Sequence, residues 1–130
     1  MLLCDAAQSV GGKLYILGGG WTQVAVGPGL AVPMALAIRV RIPWDQANER
    51  FALHAVLTDA DGEPANVQGN RIEGGGEIEV GRPPGVERGS PLDAMLALNF
   101  PPLPLFPGTY VWLLEINGEP RARARFKVTQ

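Results

Sequence analysis

The sequence predicts an all-β protein, an antiparallel β-sandwich, and two observations support that prediction. Apolar residues recur at every second position through several segments, as they do in strands with one buried face. Residues 43–48, which open with a proline, form the one segment able to begin a helix, and they hold about one turn or two. We therefore expect a single domain over residues 1–130, with about seven to nine strands and at most one short helix.

The clearest predicted element is a hairpin over residues 109–128. Its two apolar rows are Tyr110, Trp112, Leu114 and Ile116, then Ala122, Ala124, Phe126 and Val128. A plain two-residue turn at Asn117-Gly118 would set arginines opposite the first row, where burial of a charge costs too much free energy. Adding Glu119 to the loop pairs Ile116 with Pro120, Leu114 with Ala122, Trp112 with Ala124, Tyr110 with Phe126 and Glu115 with Arg121. The hairpin therefore needs an odd loop or a β-bulge.

The same alternation predicts further strands. They cover residues 2–9, 13–17, 34–42, 51–58, 77–80 and 92–100. Leu14 and Ile16 should face inward, whereas Ala35 and Ala37 should face outward, between the inward positions of their strand.

Glycines and prolines predict where the chain turns or leaves a sheet. Gly74–Gly76 should separate a short edge strand at residues 63–70 from the strand at 77–80. Residues 82–91 should cross between the two sheets. The prolines of residues 101–107 exclude an internal strand there, and Tyr110 then begins the last hairpin near a corner, as in immunoglobulin-like sandwiches.

Composition restricts the partners and the compartment. The net charge of −2 and the pI near 5.3 argue against nucleic acid, because phosphate binding needs a positive field. Cys4 is the sole cysteine, so an intrachain disulfide is impossible, which fits a reducing compartment. The apolar run from Met1 to Cys4 lacks a basic leader, and no run approaches a membrane span. We expect a cytoplasmic protein with no membrane contact.

A catalytic set is not visible in the sequence, and we expect a protein that is not an enzyme and uses no cofactor. His54 is the sole histidine, on the outward side of its strand, and Ser9 and Ser90 lie outside any nucleophile motif. Glu77 and Glu79 would lie about 7 Å apart on one strand face, close to a glycosidase spacing. Alternating outward acids are common on solvated strands, so a carboxylate-dependent hydrolase is a minor alternative.

Two glycine-containing turns resemble ligand loops without meeting their requirements. Gly18–Gly20 lacks the lysine and the following helix of a phosphate loop. Residues 59–62 begin like a calcium loop but lack the later acidic ligand. A structural turn is the better interpretation of each, and no metal ligand set is predicted.

The surface carries the functional prediction. The outward positions of the last strand hold four cations, Arg121, Arg123, Arg125 and Lys127, in a stripe about 20 Å long. The stripe is either a solvated strand edge protected by charge, or a contact for an acidic partner or for Glu77 and Glu79 of a second copy.

Two tryptophans suggest a different kind of surface from the charged stripe. Trp21 and Trp44 lie outside the core rows, beside glycine or proline. They either plug the ends of the sandwich or form an exposed platform for a small ligand or carbohydrate. Among these possibilities the sequence favours a non-catalytic module for protein–protein interaction or self-association, with a homodimer as one form.

Four groups of residues together resemble a family of small uncharacterised bacterial proteins. They are Asp5-Ala6-Ala7, residues 12–19, residues 59–62 and residues 107–110. The resemblance covers nearly the whole chain and implies an immunoglobulin-like β-sandwich of unknown function and a bacterial origin. It implies no catalytic or binding residue.

Overall fold

The computed structural model describes residues 1–130 and consists of β-strands with a single 3-10 turn, Trp44–Gln46. The strands are β1 (Leu2–Val10), β2 (Lys13–Gly19), β3 (Gln23–Ala25), β4 (Val32–Ile42), β5 (Arg50–Thr58), β6 (Asn66–Val67), β7 (Asn70–Arg71), β8 (Glu73–Glu79), β9 (Leu92–Leu103), β10 (Gly108–Ile116) and β11 (Glu119–Thr129). A four-stranded sheet has the order β2-β1-β4-β9, and a five-stranded sheet has the order β3-β11-β10-β5-β8. The prediction of an all-β sandwich of mainly antiparallel strands is confirmed.

The core lies between the two sheets and is organised around Trp112. Its indole has no exposed surface, stacks on Phe100 with ring centroids 4.4 Å apart, and donates from Nε1 to Sδ of Met34 at 3.3 Å. Phe100 and Met34 belong to the four-stranded sheet and Trp112 to the five-stranded sheet. The stack therefore ties the two sheets together, and its burial contributes on the order of 2–3 kcal/mol for each large side chain.

The last hairpin contains the bulge that its apolar rows require. Leu114 pairs with Ala122, Trp112 with Ala124 and Tyr110 with Phe126, as predicted. At the tip the register shifts, so that Ile116 pairs with Glu119 and Glu115 with Pro120. The predicted pairs at the tip are wrong, because the turn keeps two residues, Asn117 and Gly118, both at positive φ. The extra residue is Arg121, taken up in a bulge.

After Cys4, where the pairing of β1 with β4 ends, the β1–β2 hairpin folds over the outer face of the same sheet and reaches Asn99 and Met95 of β9. We call its residues 5–18 the arm. Leu3 lies in the main core, but Cys4 and Ala7 form a second buried cluster with Ala35 and Ala37 of β4. Ala35 and Ala37 lie on the outward face of β4, as predicted, but that face is not exposed to solvent there, because the arm covers it and the small side chains allow the arm to approach closely.

The glycines at 74–76 lie inside β8 and do not separate two strands, so that prediction is also wrong. They pair with Ala55, His54 and Leu53 of β5 in turn. A Cβ at Gly75 would collide with the Leu53 carbonyl oxygen, and one at Gly74 would lie 3.3 Å from Cε1 of Phe100. Glycine is used here for close approach of backbones and of the stacked aromatic ring.

The remaining connections follow the prediction more closely. Residues between β8 and β9 cross from one sheet to the other. Pro101 and Pro102 lie in β9, which tolerates them because it is an edge strand. The Tyr110 hydroxyl donates to the Phe106 carbonyl oxygen at 2.8 Å, closing the corner before β10. The predicted strand at residues 63–70 is reduced to the two-residue β6.

Replacing Gly75 with alanine should destabilise the protein by roughly 1–3 kcal/mol, because the new methyl group overlaps the backbone of β5. The matched control is Gly76→Ala, whose Cβ meets no atom within 4 Å. Its unfolding free energy should stay the same or rise slightly, since alanine restricts the unfolded chain. Urea denaturation of the two variants measures the difference, and equal midpoints would contradict the close approach described here.

Candidate functional site

Exposed large apolar side chains are concentrated at two places on this protein. Five of the seven belong to β1 and β2: Leu2, Val10, Tyr15, Ile16 and Leu17. The other two, Leu30 and Phe106, flank a cleft at one end of the sandwich. Scattered exposed apolar residues need no explanation, but a concentration of this kind marks an interaction site.

The arm presents its apolar residues along an open sheet edge. Within the arm, β2 is the outermost strand of the four-stranded sheet. Between Leu14 and Gly19 it carries no charged residue and no proline, and Leu17 is 69% exposed. Such an edge offers a row of backbone N–H and C=O groups to any added strand.

Each of the other three edge strands has a feature, absent from β2, that limits pairing along at least part of its length. Two prolines lie in β9, three glutamates line β8, and β3 has three residues. Prolines, charges and short length are the usual means of preventing edge-to-edge pairing. The open edge of β2 is therefore an exception within this protein.

Hydrogen bonds to Asn99 define which backbone groups face the open edge. Ala7 donates its N–H to Oδ1 of Asn99 at 3.1 Å, and its C=O accepts from Nδ2 at 2.8 Å. Because Ala7 directs both groups away from β2, it shares no ladder bond with Ile16, its register partner. Antiparallel pairs alternate between bonded and non-bonded, so the N–H and C=O of Ile16 project from the open edge.

This edge was missed by sequence reasoning. Leu14 and Ile16 were expected inward, and Leu14 does pack against the second cluster, but Ile16 is 41% exposed and that expectation is wrong. The available signal was the unbroken run Leu14 to Leu17, which is apolar on both faces of a strand. A strand buried on one face should alternate with polar residues.

The predicted cation stripe is shorter than expected. Arg123, Arg125 and Lys127 are exposed on the outer face of the five-stranded sheet, and none has an ion-pair partner. The bulge turns Arg121 out of this row, to line a cavity with Ala122 and to pair with Glu119 at 3.0 Å. The row therefore has three members.

The predicted acidic partners of the stripe lie on the same sheet face but at the opposite edge. Glu77 and Glu79 belong to β8, which two strands separate from β11, a lateral distance of about 14 Å. Glu79 already pairs with Arg50 at 3.4 Å. The two charged groups do not meet within one copy.

Trp21 and Trp44 are not brought together, and both are partly buried. Trp21 packs on the main core, edge-on to Phe126 with centroids 5.6 Å apart. Trp44 lies under the guanidinium of Arg82, whose carbon is 4.6 Å from the ring centroid. Two separate, covered indoles do not form one aromatic platform.

The titratable residues considered for catalysis lie in ordinary surface contacts. His54 Nε2 lies 3.2 Å from Oε2 of Glu73, and both side chains are nearly half exposed. The hydroxyl of Ser9 donates to the Met95 carbonyl oxygen. Asp59 Oδ1 accepts from the backbone of Asp61 and of Glu63, so the predicted structural turn is confirmed. No group of three or more His, Cys, Asp or Glu side chains is arranged to hold a metal ion.

The end cleft has a volume of about 490 Å³ and is lined by uncharged residues. Its walls come from residues 26–30, 66–68 and 104–107 together with the ends of β10 and β11. Phe106 is 82% exposed and Leu30 is 64% exposed at this site. The volume lies within the range of small-ligand sites.

These features define an all-β sandwich with an apolar arm and an open sheet edge. The chain belongs to DUF6941, described as a family of unknown function, which matches residues 1–129. No curated protein matches the chain.

Among solved structures, the alkylpurine DNA glycosylase AlkC of Pseudomonas fluorescens, bound to DNA containing an abasic site analog, shows a distant likeness. The identity is 12%, the TM-score is 0.45, and the match covers 84% of this chain and 28% of that one. The protein contains no helix that is long and apolar enough to cross a membrane.

The Cys4 thiol should resist chemical modification in the native protein. It has no exposed surface and donates to the Ala35 carbonyl oxygen at 3.4 Å. Burial raises its pKa, and the nearby Asp5 carboxylate raises the pKa further. Since the thiolate is the reactive form, a disulfide reagent at mildly alkaline pH should react slowly with folded protein and rapidly in denaturant. Equal reaction rates of Cys4 in folded and in denatured protein would show that the arm does not cover this thiol.

Proposed function

We propose that this protein is a non-catalytic protein-interaction module that binds partners by strand addition at the open edge of β2. The observation that carries the proposal is the contrast among edges: β2 alone combines unprotected backbone with exposed Tyr15, Ile16 and Leu17. In strand addition, main-chain hydrogen bonds supply affinity, and the alternating side chains supply specificity.

The energetics of such a contact are sufficient for a specific complex of moderate affinity. Covering the exposed part of each of the three apolar side chains contributes on the order of 1 kcal/mol. Each added backbone hydrogen bond contributes about 1 kcal/mol net. The backbone of β2 is already ordered, because β2 pairs with β1 and Asn99 holds β1 in place. Binding therefore costs little conformational entropy in this protein.

The cation row supports a second, weaker version of the same function. Arg123, Arg125 and Lys127 lack ion pairs and are available to an acidic partner protein. Exposed charge contacts, however, add little free energy and are screened by salt. The row is better suited to steering a partner toward the protein than to holding it.

A small-ligand platform and a carboxylate-dependent hydrolase have less support. The platform requires Trp21 and Trp44 to lie together, and they pack against different residues. The hydrolase requires a cleft around Glu77 and Glu79, whereas both are exposed on an edge strand. We therefore propose a protein without enzymatic activity or cofactor, and with proteins, not nucleic acid, as partners.

We also propose an immunoglobulin-like class and a bacterial, cytoplasmic setting for the protein. The class is supported by the neighbours β1, β4 and β9 in one sheet, by β8, β5, β10 and β11 in the other, and by the parallel pairing of β3 with β11. The free buried Cys4 fits a reducing compartment.

Affinity capture with matched variants tests the proposed function. Tagged wild type, Leu17→Lys and Leu30→Lys are exposed to extract of the native cell that contains the untagged chain. Both leucines are exposed to nearly the same extent, but only Leu17 lies on the β2 edge. The proteins captured by wild type should be retained by Leu30→Lys and lost with Leu17→Lys, because a charge on the edge blocks strand addition.

Two outcomes would contradict the proposal. One is an identical set of captured proteins for wild type and Leu17→Lys. The other is a wild-type bait that retains no protein, its own untagged chain included. Thermal melts of the three baits provide the folding control.

A further inference from the structure

We propose that the partner at the β2 edge is a second copy of this chain, joined by antiparallel pairing of β2 with β2 about a twofold axis at Ile16. This inference rests on the proposed function, since it names the partner for the same edge. A twofold contact requires a surface that is complementary to itself. The edge of β2 meets that requirement in its backbone, its side chains and its charges.

The backbone allows a twofold axis at Ile16. The free N–H and C=O of Ile16 face the open edge, as the bonds of Ala7 to Asn99 show. In an antiparallel ladder two residues that face each other in this way exchange both bonds. Ile16 can therefore pair with Ile16 of the second copy, and Leu14 then lies opposite Gly18 of the second copy.

The side chains fit this register. Tyr15 would lie across from Leu17 of the second copy, and Leu17 across from its Tyr15. Both residues are more than half exposed in the single chain. By the twofold symmetry the contact contains two such pairs and covers four exposed side chains. Aromatic and aliphatic cross-strand pairs of this kind stabilise sheets. If the register between the two copies shifted by one residue, side chains on one face of β2 would lie opposite residues whose side chains point to the other face.

The charges are compatible with the antiparallel arrangement and disfavour the parallel one. Lys13 begins β2, whereas the Asp5 carboxylate lies at the other end, against Gly18, where a Cβ would collide with it. Antiparallel pairing brings Lys13 of each copy toward the end that carries Asp5 of the other. Parallel pairing would set lysine beside lysine and aspartate beside aspartate, and nearby like charges repel.

The resulting dimer joins the two arms through their β2 strands, with one sandwich on either side. The contact involves one strand from each copy, which places it at the small end of specific interfaces, below about 1,200 Å². We therefore expect association that depends on protein concentration. The cation rows and the end clefts stay free for other partners, because neither lies on β2.

Sedimentation equilibrium on the purified full chain tests the inference. Wild type should show a monomer–dimer equilibrium. Leu17→Lys should weaken the dimer by about tenfold or more, since it replaces an apolar contact with a charge. Leu30→Lys and Arg123→Glu should match wild type, and raising the salt concentration should not dissociate the dimer, because apolar and backbone contacts are not screened.

Cysteine cross-linking tests the register. In the predicted dimer residue 16 faces itself, so Ile16→Cys should form an intermolecular disulfide under mild oxidation. Tyr15→Cys should not, because the two residues 15 lie about 8 Å apart, beyond the reach of a disulfide. Wild type is the control, since its only cysteine, Cys4, is buried. Cross-linking through residue 15 in place of residue 16 would overturn the register.

The outcomes separate the inference from the proposed function. A monomer at every concentration overturns the inference, while capture that still depends on Leu17 would leave the interaction module in place with a different partner. A dimer that survives Leu17→Lys but dissociates with Arg123→Glu or with salt also overturns the inference, because it would be formed by the cation row.

Discussion

The pairing of backbone N–H and C=O groups is the constraint on which this structure depends. Every strand offers such groups on both sides, and a sandwich of two open sheets leaves four edges where they lack partners. Prolines protect the C-terminal end of β9, glutamates protect β8, and β3 is short. β2 has none of these, and its apolar side chains project into solvent. The interaction surface proposed here is this single unprotected edge.

The arm depends on small residues and on one asparagine. Alanines at 35, 37 and 97 leave room for β1 to lie across the four-stranded sheet. Asn99 then bonds both backbone groups of Ala7 and so replaces a neighbouring strand on that side of β1. The same bonds determine which groups of β2 remain free. The contacts of β1 with the sheet thus determine which backbone N–H and C=O groups of β2 are free to bind a partner.

Much of the fold could be predicted because its strands follow a strict alternation. Trp112 opposite Ala124 followed from the exclusion of arginine from the core, and so did the bulge. The wrong or incomplete predictions concern small residues, whose environment is set by tertiary contacts. Ala35 and Ala37 are too small for their side chains to reveal that the arm covers their outward face, and Gly74–Gly76 were interpreted as a turn because their close contacts with Phe100 and β5 are tertiary.

The candidate site was harder to predict than the fold. Charge patterns are visible in a sequence, so the stripe at Arg121 to Lys127 was found, although the bulge removes Arg121 from it. Sheet edges are not visible, because strand order depends on pairing between distant segments. The sequence predicts Leu14 and Ile16 to face inward, and only the sheet order places their strand at an edge.

Amide hydrogen exchange of Ile16 tests the central claim most directly. In the single chain its N–H faces the open edge, whereas Tyr15 lies in a bonded pair with Gln8 inside the sheet. In dilute solution Ile16 should therefore exchange rapidly and Tyr15 slowly. As the protein concentration rises, Ile16 should become protected while Tyr15 stays unchanged. An Ile16 amide that exchanges at the same rate at all concentrations would contradict strand addition between copies, and one already protected at high dilution would contradict the open edge itself.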